Sequence, residues 1–130
     1  MIQIFISVAA LLGGLSVAGG AFASHALREK LSERAIEIFE TGARYQMYHA
    51  LALLLVALLL SRAEAAQAEA AQSILMASGI AFIVGVVMFS GSLYTLSLTN
   101  IKWLGAIAPL GGAAFIVGWS CLAVAAWSFK

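Results

Sequence analysis

The seven basic and six acidic residues of this chain are clustered so that four long stretches carry no charge: Met1–Leu27, Tyr45–Ser61, Ala70–Ile101 and Trp103–Phe129. A helix needs about 20 apolar residues to cross the hydrocarbon of a bilayer, with about 17 as the short limit. Each stretch is long enough, Tyr45–Ser61 only just, and that span can borrow length from the helix before it. An Arg or Lys at mid-membrane costs roughly 2.5–3.5 kcal/mol on the insertion scale, so charges gathered between apolar stretches are what insertion requires. The pattern predicts an all-α integral membrane four-helix bundle, a single domain over 1–130. Its spans are expected near 2–25, 45–61, 73–99 and 103–128.

Composition agrees. The chain is 63% apolar and 10% charged, against roughly 45–50% and 25% in soluble domains. A net charge of +1 offers no basic face for nucleic acid. A single cysteine excludes an internal disulfide and a cysteine-based zinc site. Ala21-Phe22-Ala23 before Ser24 looks like a signal-peptidase site, but the start Met1-Ile2-Gln3 lacks a basic region and the apolar stretch is too long. The first span is therefore read as retained.

Orientation follows the basic residues. Arg28, Lys30, Arg34, Arg44 and Lys102 lie in the first and third connections, against Arg62 and Lys130 on the other side. Five against two places those connections in the cytoplasm and both termini outside. Trp103 and Trp127 bracket the fourth span at a separation of about 36 Å, as interfacial anchors do.

Small residues set the expected packing. Ala10, Gly14 and Ala18 form one face of the first span; Ser16, Gly20 and Ser24 form another. Gly79, Gly85 and Gly91 recur in the third, and Gly111, Ala114 and Gly118 in the fourth. In lipid such positions let helix backbones approach closely. Pro109, the only proline, lies inside the fourth apolar stretch and predicts a kink there.

Segment 28–44 is the exception to the apolar rule. At 100° per residue, Glu29, Lys30, Glu33, Arg34, Glu37, Glu40 and Arg44 fall on one side, and Leu27, Leu31, Ala35, Ile38, Phe39 and Gly42 on the other. This predicts an amphipathic interfacial helix between spans one and two, lying on the membrane surface or across the bundle's end. Its outer face, Glu29, Glu33, Arg34, Glu37, Glu40 and Arg44, is a candidate docking face for a partner, with Glu40–Arg44 as an i,i+4 pair. Where this helix meets span two, Tyr45, Gln46, Tyr48 and His49 stand together, with His25 at the end of span one and Tyr94 in span three completing a candidate polar cluster. Such a cluster either ties the surface helix to the bundle or forms a proton, metal or cofactor site. Two histidines make a thin metal site, needing a third ligand such as Glu40. No metal, cofactor or catalytic residue is assigned.

Four strings carry a resemblance: Gly20-Ala21-Phe22 with His25-Ala26-Leu27; Tyr45-Gln46-Met47-Tyr48-His49-Ala50-Leu51-Ala52; Phe89-Ser90-Gly91-Ser92-Leu93-Tyr94; and Pro109-Leu110-Gly111-Gly112 with Gly118-Trp119. Together they resemble the domain-of-unknown-function 423 family (uncharacterised protein family 0382). These are small four-span membrane proteins similar to human transmembrane protein 256. The resemblance covers nearly the whole chain and implies a multi-pass membrane protein with no established catalytic residues. It points to His25, Tyr45, Gln46, His49, Ser90, Gly91, Tyr94 and Pro109 as positions of interest. Ala108 departs from the family, which often has threonine before the proline.

The chain has no aspartate and no phosphate loop, and no Ser-His-acid spacing is readable. The sequence therefore points to a non-enzymatic structural module that binds lipid or a partner, alone, as a homo-oligomer or within a larger membrane complex. The alternative is a small-solute or proton transporter or channel using His25, His49 and the Pro109 break. A membrane enzyme or haem or metal protein ranks third.

Overall fold

The computed structural model describes residues 1–129. Four helices dominate it: α1 (Ile2–Phe22), α2 (Glu33–Ala65), α3 (Glu69–Thr99) and α4 (Ala108–Ala126). A wider π-helical turn, Ala23–Leu27, prolongs α1, and a 3-10 turn, Lys102–Ala106, leads into α4. All four segments are long and apolar enough to cross a membrane, and no strand occurs among the described residues.

The helices pack in chain order. In their apolar windows α2 and α3 are 50% and 39% buried, against 17% and 22% for α1 and α4. The central pair is thus α2–α3, with α1 laid against α2 and α4 against α3. A three-residue link, Ala66-Gln67-Ala68, joins the central pair; Gln67 takes a left-handed φ of 55°, and Gln72 Nε2 donates to the Ala63 carbonyl across the turn at 3.2 Å. Asn100, also at φ 55°, closes α3.

The amphipathic segment does not form a separate surface helix over 28–44. Residues 28–32 turn, Ser32 Oγ accepts from the Ala35 amide at 3.2 Å as an N-cap, and a single helix then runs to Ala65. Its sequence gives no reason to stop at Tyr45, for α2 contains no proline and only one glycine, Gly42. The apolar side of this first part, Ile36 and Phe39, packs on Ala23 and Leu27 at the end of α1, with Leu31 and Tyr94 alongside. Of the apolar face sorted in the sequence, Leu27, Phe39 and Gly42 are buried against protein and Leu31, Ala35 and Ile38 are half-buried. At 1.5 Å per residue α2 is about 50 Å long, well beyond the ~30 Å of hydrocarbon, so its charged first turns stand outside the apolar layer.

Pro109 likewise departs from expectation. It occupies the first turn of α4, not its interior, where an amide would have no intrahelical partner and the fixed φ suits a helix start. The break lies before it, at Ile107, and α4 carries no proline kink.

Glycines in α3 and α4 serve as seats for aromatic rings. A Cβ added to Gly79 would lie 2.4 Å from the Phe5 ring, one on Gly85 2.4 Å from Phe115, and one on Gly118 2.5 Å from Phe82. At Gly111 the Phe89 backbone itself would be 2.4 Å away. Of the α1 faces, Ser16 is buried, whereas Ala10, Gly14 and Ala18 are exposed and Gly14 and Gly20 have open space around them. Gly91 is open too. Gly111→Leu, which collides with backbone that has no rotamer to yield, is expected to lower stability by about 3 kcal/mol or more. Gly14→Leu is expected to leave it unchanged. Thermal unfolding in a mild detergent distinguishes them, and equal midpoints would contradict this packing.

Candidate functional site

Gln46 is 5% exposed on α2 and joins three helices. Its Nε2 donates to the Leu12 carbonyl of α1 at 2.8 Å, and its Oε1 accepts from the Tyr94 hydroxyl of α3 at 2.8 Å. The Phe39 and Tyr94 rings lie 4.7 Å apart beside this junction. On either side, Ser16 Oγ donates to the Ala43 carbonyl at 2.6 Å and Ser90 Oγ to the Gly42 carbonyl at 2.7 Å. Close approach at Gly42 is what brings α3 within reach: a Cβ there would lie 3.1 Å from Tyr94.

One turn further along α2, His49 is 4% exposed and meets α4. Its Nδ1 lies 2.7 Å from the Tyr45 carbonyl, and its Nε2 lies 3.1 Å from Trp119 Nε1. An indole N–H only donates and a carbonyl only accepts. Nε2 must therefore carry the lone pair and Nδ1 the proton, which fixes a neutral imidazole in one tautomer. The ring stacks on Phe115 with centroids 3.5 Å apart and planes 5° from parallel, and Phe82 lies 5.4 Å away. Tyr45 extends the group through Phe89 at 4.7 Å.

These aromatics form one wall of an open groove of about 720 Å³ between α2, α3 and α4. Tyr45, Tyr48 and His49 line it from α2, Phe89 from α3, and Pro109, Gly112, Phe115, Ile116 and Trp119 from α4. Its volume lies in the range of small-ligand sites.

The expected cluster is thus divided. Gln46 and Tyr94 bond to each other, while His49 faces α4 with Tyr45 beside it. Tyr48 is exposed, its ring 5.6 Å from Tyr45. His25 is exposed on the π-helical turn, and its side chain makes no hydrogen bond among the described residues. The two histidines do not share a site. Among the described residues no three His, Cys, Asp or Glu side chains converge as metal ligands.

The charged face is also arranged differently from the expected pairing. Glu29, Glu33, Arg34, Glu37 and Arg44 are exposed and Glu40 half-buried. Arg34 pairs with Glu37 at 3.3 Å. Arg44 Nη2 donates to Thr41 Oγ1 at 3.2 Å, and Glu40 is not its partner. The sequence also left out Phe82, Phe89, Phe115 and Trp119 as site residues. Trp119 alone carried a signal, the glycine before it in Gly118-Trp119; Phe82, Phe89 and Phe115 have no glycine beside them.

A double-mutant cycle on Gln46→Leu and Tyr94→Phe is expected to give a coupling of about 0.6–1.7 kcal/mol, the range of interhelical hydrogen bonds in membranes. Zero coupling would mean that the two side chains act independently.

Comparison with known proteins places this architecture among relatives. The family described as "Protein of unknown function (DUF423)" matches residues 19–112. The UPF0382 membrane protein YwdK of Bacillus subtilis (strain 168) is 44% identical over 124 residues, covering 95% of this chain and 96% of that protein. A UPF0382 membrane protein of Staphylococcus epidermidis (strain ATCC 12228 / FDA PCI 1200) is 40% identical over 127 residues, covering 98% of each. No solved structure matches the chain. With its four apolar helices and this likeness over nearly its full length, the chain belongs to the DUF423 (UPF0382) family of multi-pass bacterial membrane proteins, whose function is unknown.

Proposed function

We propose that this chain is a non-enzymatic binding module of the bacterial cytoplasmic (inner) membrane, holding lipid or a partner subunit rather than moving a solute or transforming a substrate. One observation carries the reading: the interior polar groups are hydrogen-bonded inside the protein, most of them to a neighbouring helix. Ser16, Gln46, Ser78 and Ser90 donate to backbone carbonyls of other helices, Tyr94 donates to Gln46, and His49 bonds at both nitrogens. Among the described residues no buried side-chain nitrogen or oxygen lacks a partner. A proton or solute path needs groups that face a cavity and exchange partners. Here the buried histidine is held in one tautomer, and no carboxylate lies in the apolar windows.

The aromatic groove opens outward beside apolar helix faces, which suits a hydrophobic or amphiphilic ligand. Helical spans fit the cytoplasmic membrane rather than the β-barrels of outer membranes. The five-to-two excess of basic residues orients the first and third connections towards the cytoplasm, with both termini outside. The charged turns of α2 would then face the cytoplasm, where a partner could dock.

Purified protein in liposomes is expected to pass neither protons nor small solutes above lipid alone, while native mass spectrometry in mild detergent finds retained lipid or a defined oligomer. Flux abolished by His49→Ala with the fold intact would overturn the reading in favour of a transporter. A reporter fused to the C-terminus that fluoresces only in the cytoplasm is expected to stay dark, and a bright signal would invert the topology.

A further inference from the structure

Next to the aromatic groove lies a second recess of about 490 Å³ with a charged side, bounded by Arg34, Glu37, Ile38, Thr41 and Arg44 of α2 and by Phe89 and Leu93 of α3. Phe89 lines both, and along α2 the lining runs on from Arg34, Thr41 and Arg44 to Tyr45 and Tyr48, so the two adjoin at that ring and are taken together as one surface channel. Its ends differ in chemistry. The recess holds two guanidinium groups and one carboxylate, and that carboxylate is paired with Arg34. Arg44 has no carboxylate partner among the described residues; its one side-chain bond is to Thr41. The groove beyond Phe89 is walled by aromatic rings whose polar atoms at depth, on His49 and Trp119, are bonded to each other.

A cation at one end and an apolar slot at the other match an anionic amphiphile. The dimensions narrow the class. On α4 the slot runs from Pro109 to Trp119, about 15 Å at helical rise, which is the depth of one leaflet of a ~30 Å hydrocarbon layer. Pro109 and Tyr45 stand at the end near Arg44, and Trp119 lies deeper, past His49. Guanidinium groups favour phosphate oxygens because their N–H donors form a planar fork.

We propose that this channel binds an anionic glycerophospholipid, its phosphate at Arg44 and one acyl chain along Phe89, Phe115 and Trp119. The proposal rests on the binding-module reading and supplies its ligand and site. Gly112 lines the slot, and a Cβ added there meets nothing within 4 Å, so a larger residue at 112 is expected to fill the slot without disturbing the helix packing.

The test uses Trp119 as its own probe. Trp103 and Trp127 are 66% and 87% exposed, so phenylalanine at both is expected to cost little packing, and it leaves Trp119 as the single tryptophan of the full chain. The protein is reconstituted in phosphatidylcholine vesicles containing increasing amounts of dibromo-acyl phosphatidylglycerol or dibromo-acyl phosphatidylcholine, and quenching of Trp119 is measured. The anionic lipid is expected to reach half-quenching at a mole fraction about fivefold lower than the zwitterionic one, the advantage of one basic group at an anionic lipid. Arg44→Gln is expected to bring that ratio to one. Gly112→Leu is expected to do the same with helical circular dichroism unchanged. A ratio of one in the native sequence, or a ratio that survives Arg44→Gln, would overturn the proposal. The liposome flux measurement is independent of this ratio, so failure here and failure of the binding-module reading are told apart.

Discussion

In hydrocarbon there is no water to satisfy a polar atom, so each buried donor must find its acceptor inside the protein. This chain meets that demand with short side chains aimed at backbone carbonyls of neighbouring helices. Ser16 reaches Ala43, Ser78 reaches Gly118 at 2.7 Å, Ser90 reaches Gly42, and Gln46 reaches Leu12. A helical carbonyl can accept a second hydrogen bond without giving up its i→i+4 partner, so these ties join helices and leave each backbone ladder whole. They also require close helix spacing. Glycine meets that need where it stands at the crossing, as at Gly42 and Gly118.

The aromatic rings follow from the same closeness. Phe115 sits over Gly85 and Phe82 over Gly118, so each of the two helices offers a ring to the other's gap. That reciprocal seating fixes the rotation of α4 on α3 and turns Phe115 and Trp119 towards α2. His49 then finds a flat face to stack on and an indole donor within reach. The groove is the residue of this arrangement: rings gathered towards His49 leave Gly112 and Pro109 uncovered on the outer side.

Much of this was legible in the sequence. Four spans follow from where charge is missing, because the cost of charge in hydrocarbon is large and local. The junction at 45–49 was legible because polar side chains at the edge of an apolar span need a reason to be there. Four things were not. Where α2 begins could not be told from amphipathicity, since an apolar face covered by lipid and one covered by Ala23, Leu27 and Tyr94 give the same periodicity. The position of Pro109 in its helix depended on a 3-10 turn, Lys102–Ala106, that apolar composition conceals. The aromatic lining was missed because phenylalanine in an apolar span carries no sign of which neighbour it faces; the partner glycine lies on another helix. The pairing of His25 with His49 failed for the opposite reason: sharing one end of the bundle does not make two side chains converge.

Helix α2 links these features because it alone makes side-chain hydrogen bonds to all three other helices: to α1 through Leu12 and Ser16, to α3 through Ser90 and Tyr94, and to α4 through Trp119. The four positions that make them, Gly42, Ala43, Gln46 and His49, lie within two turns. Arg44 stands among them but points outward, and Thr41 precedes them. A headgroup contact at Arg44 therefore bears on the same two turns of helix that position His49 against Phe115. The unbroken run from Glu33 to Ala65 makes that connection mechanical, since a hinge at Tyr45 would have separated the charged turns from the groove. A surface helix followed by a short span would have had that hinge, and this helix does not.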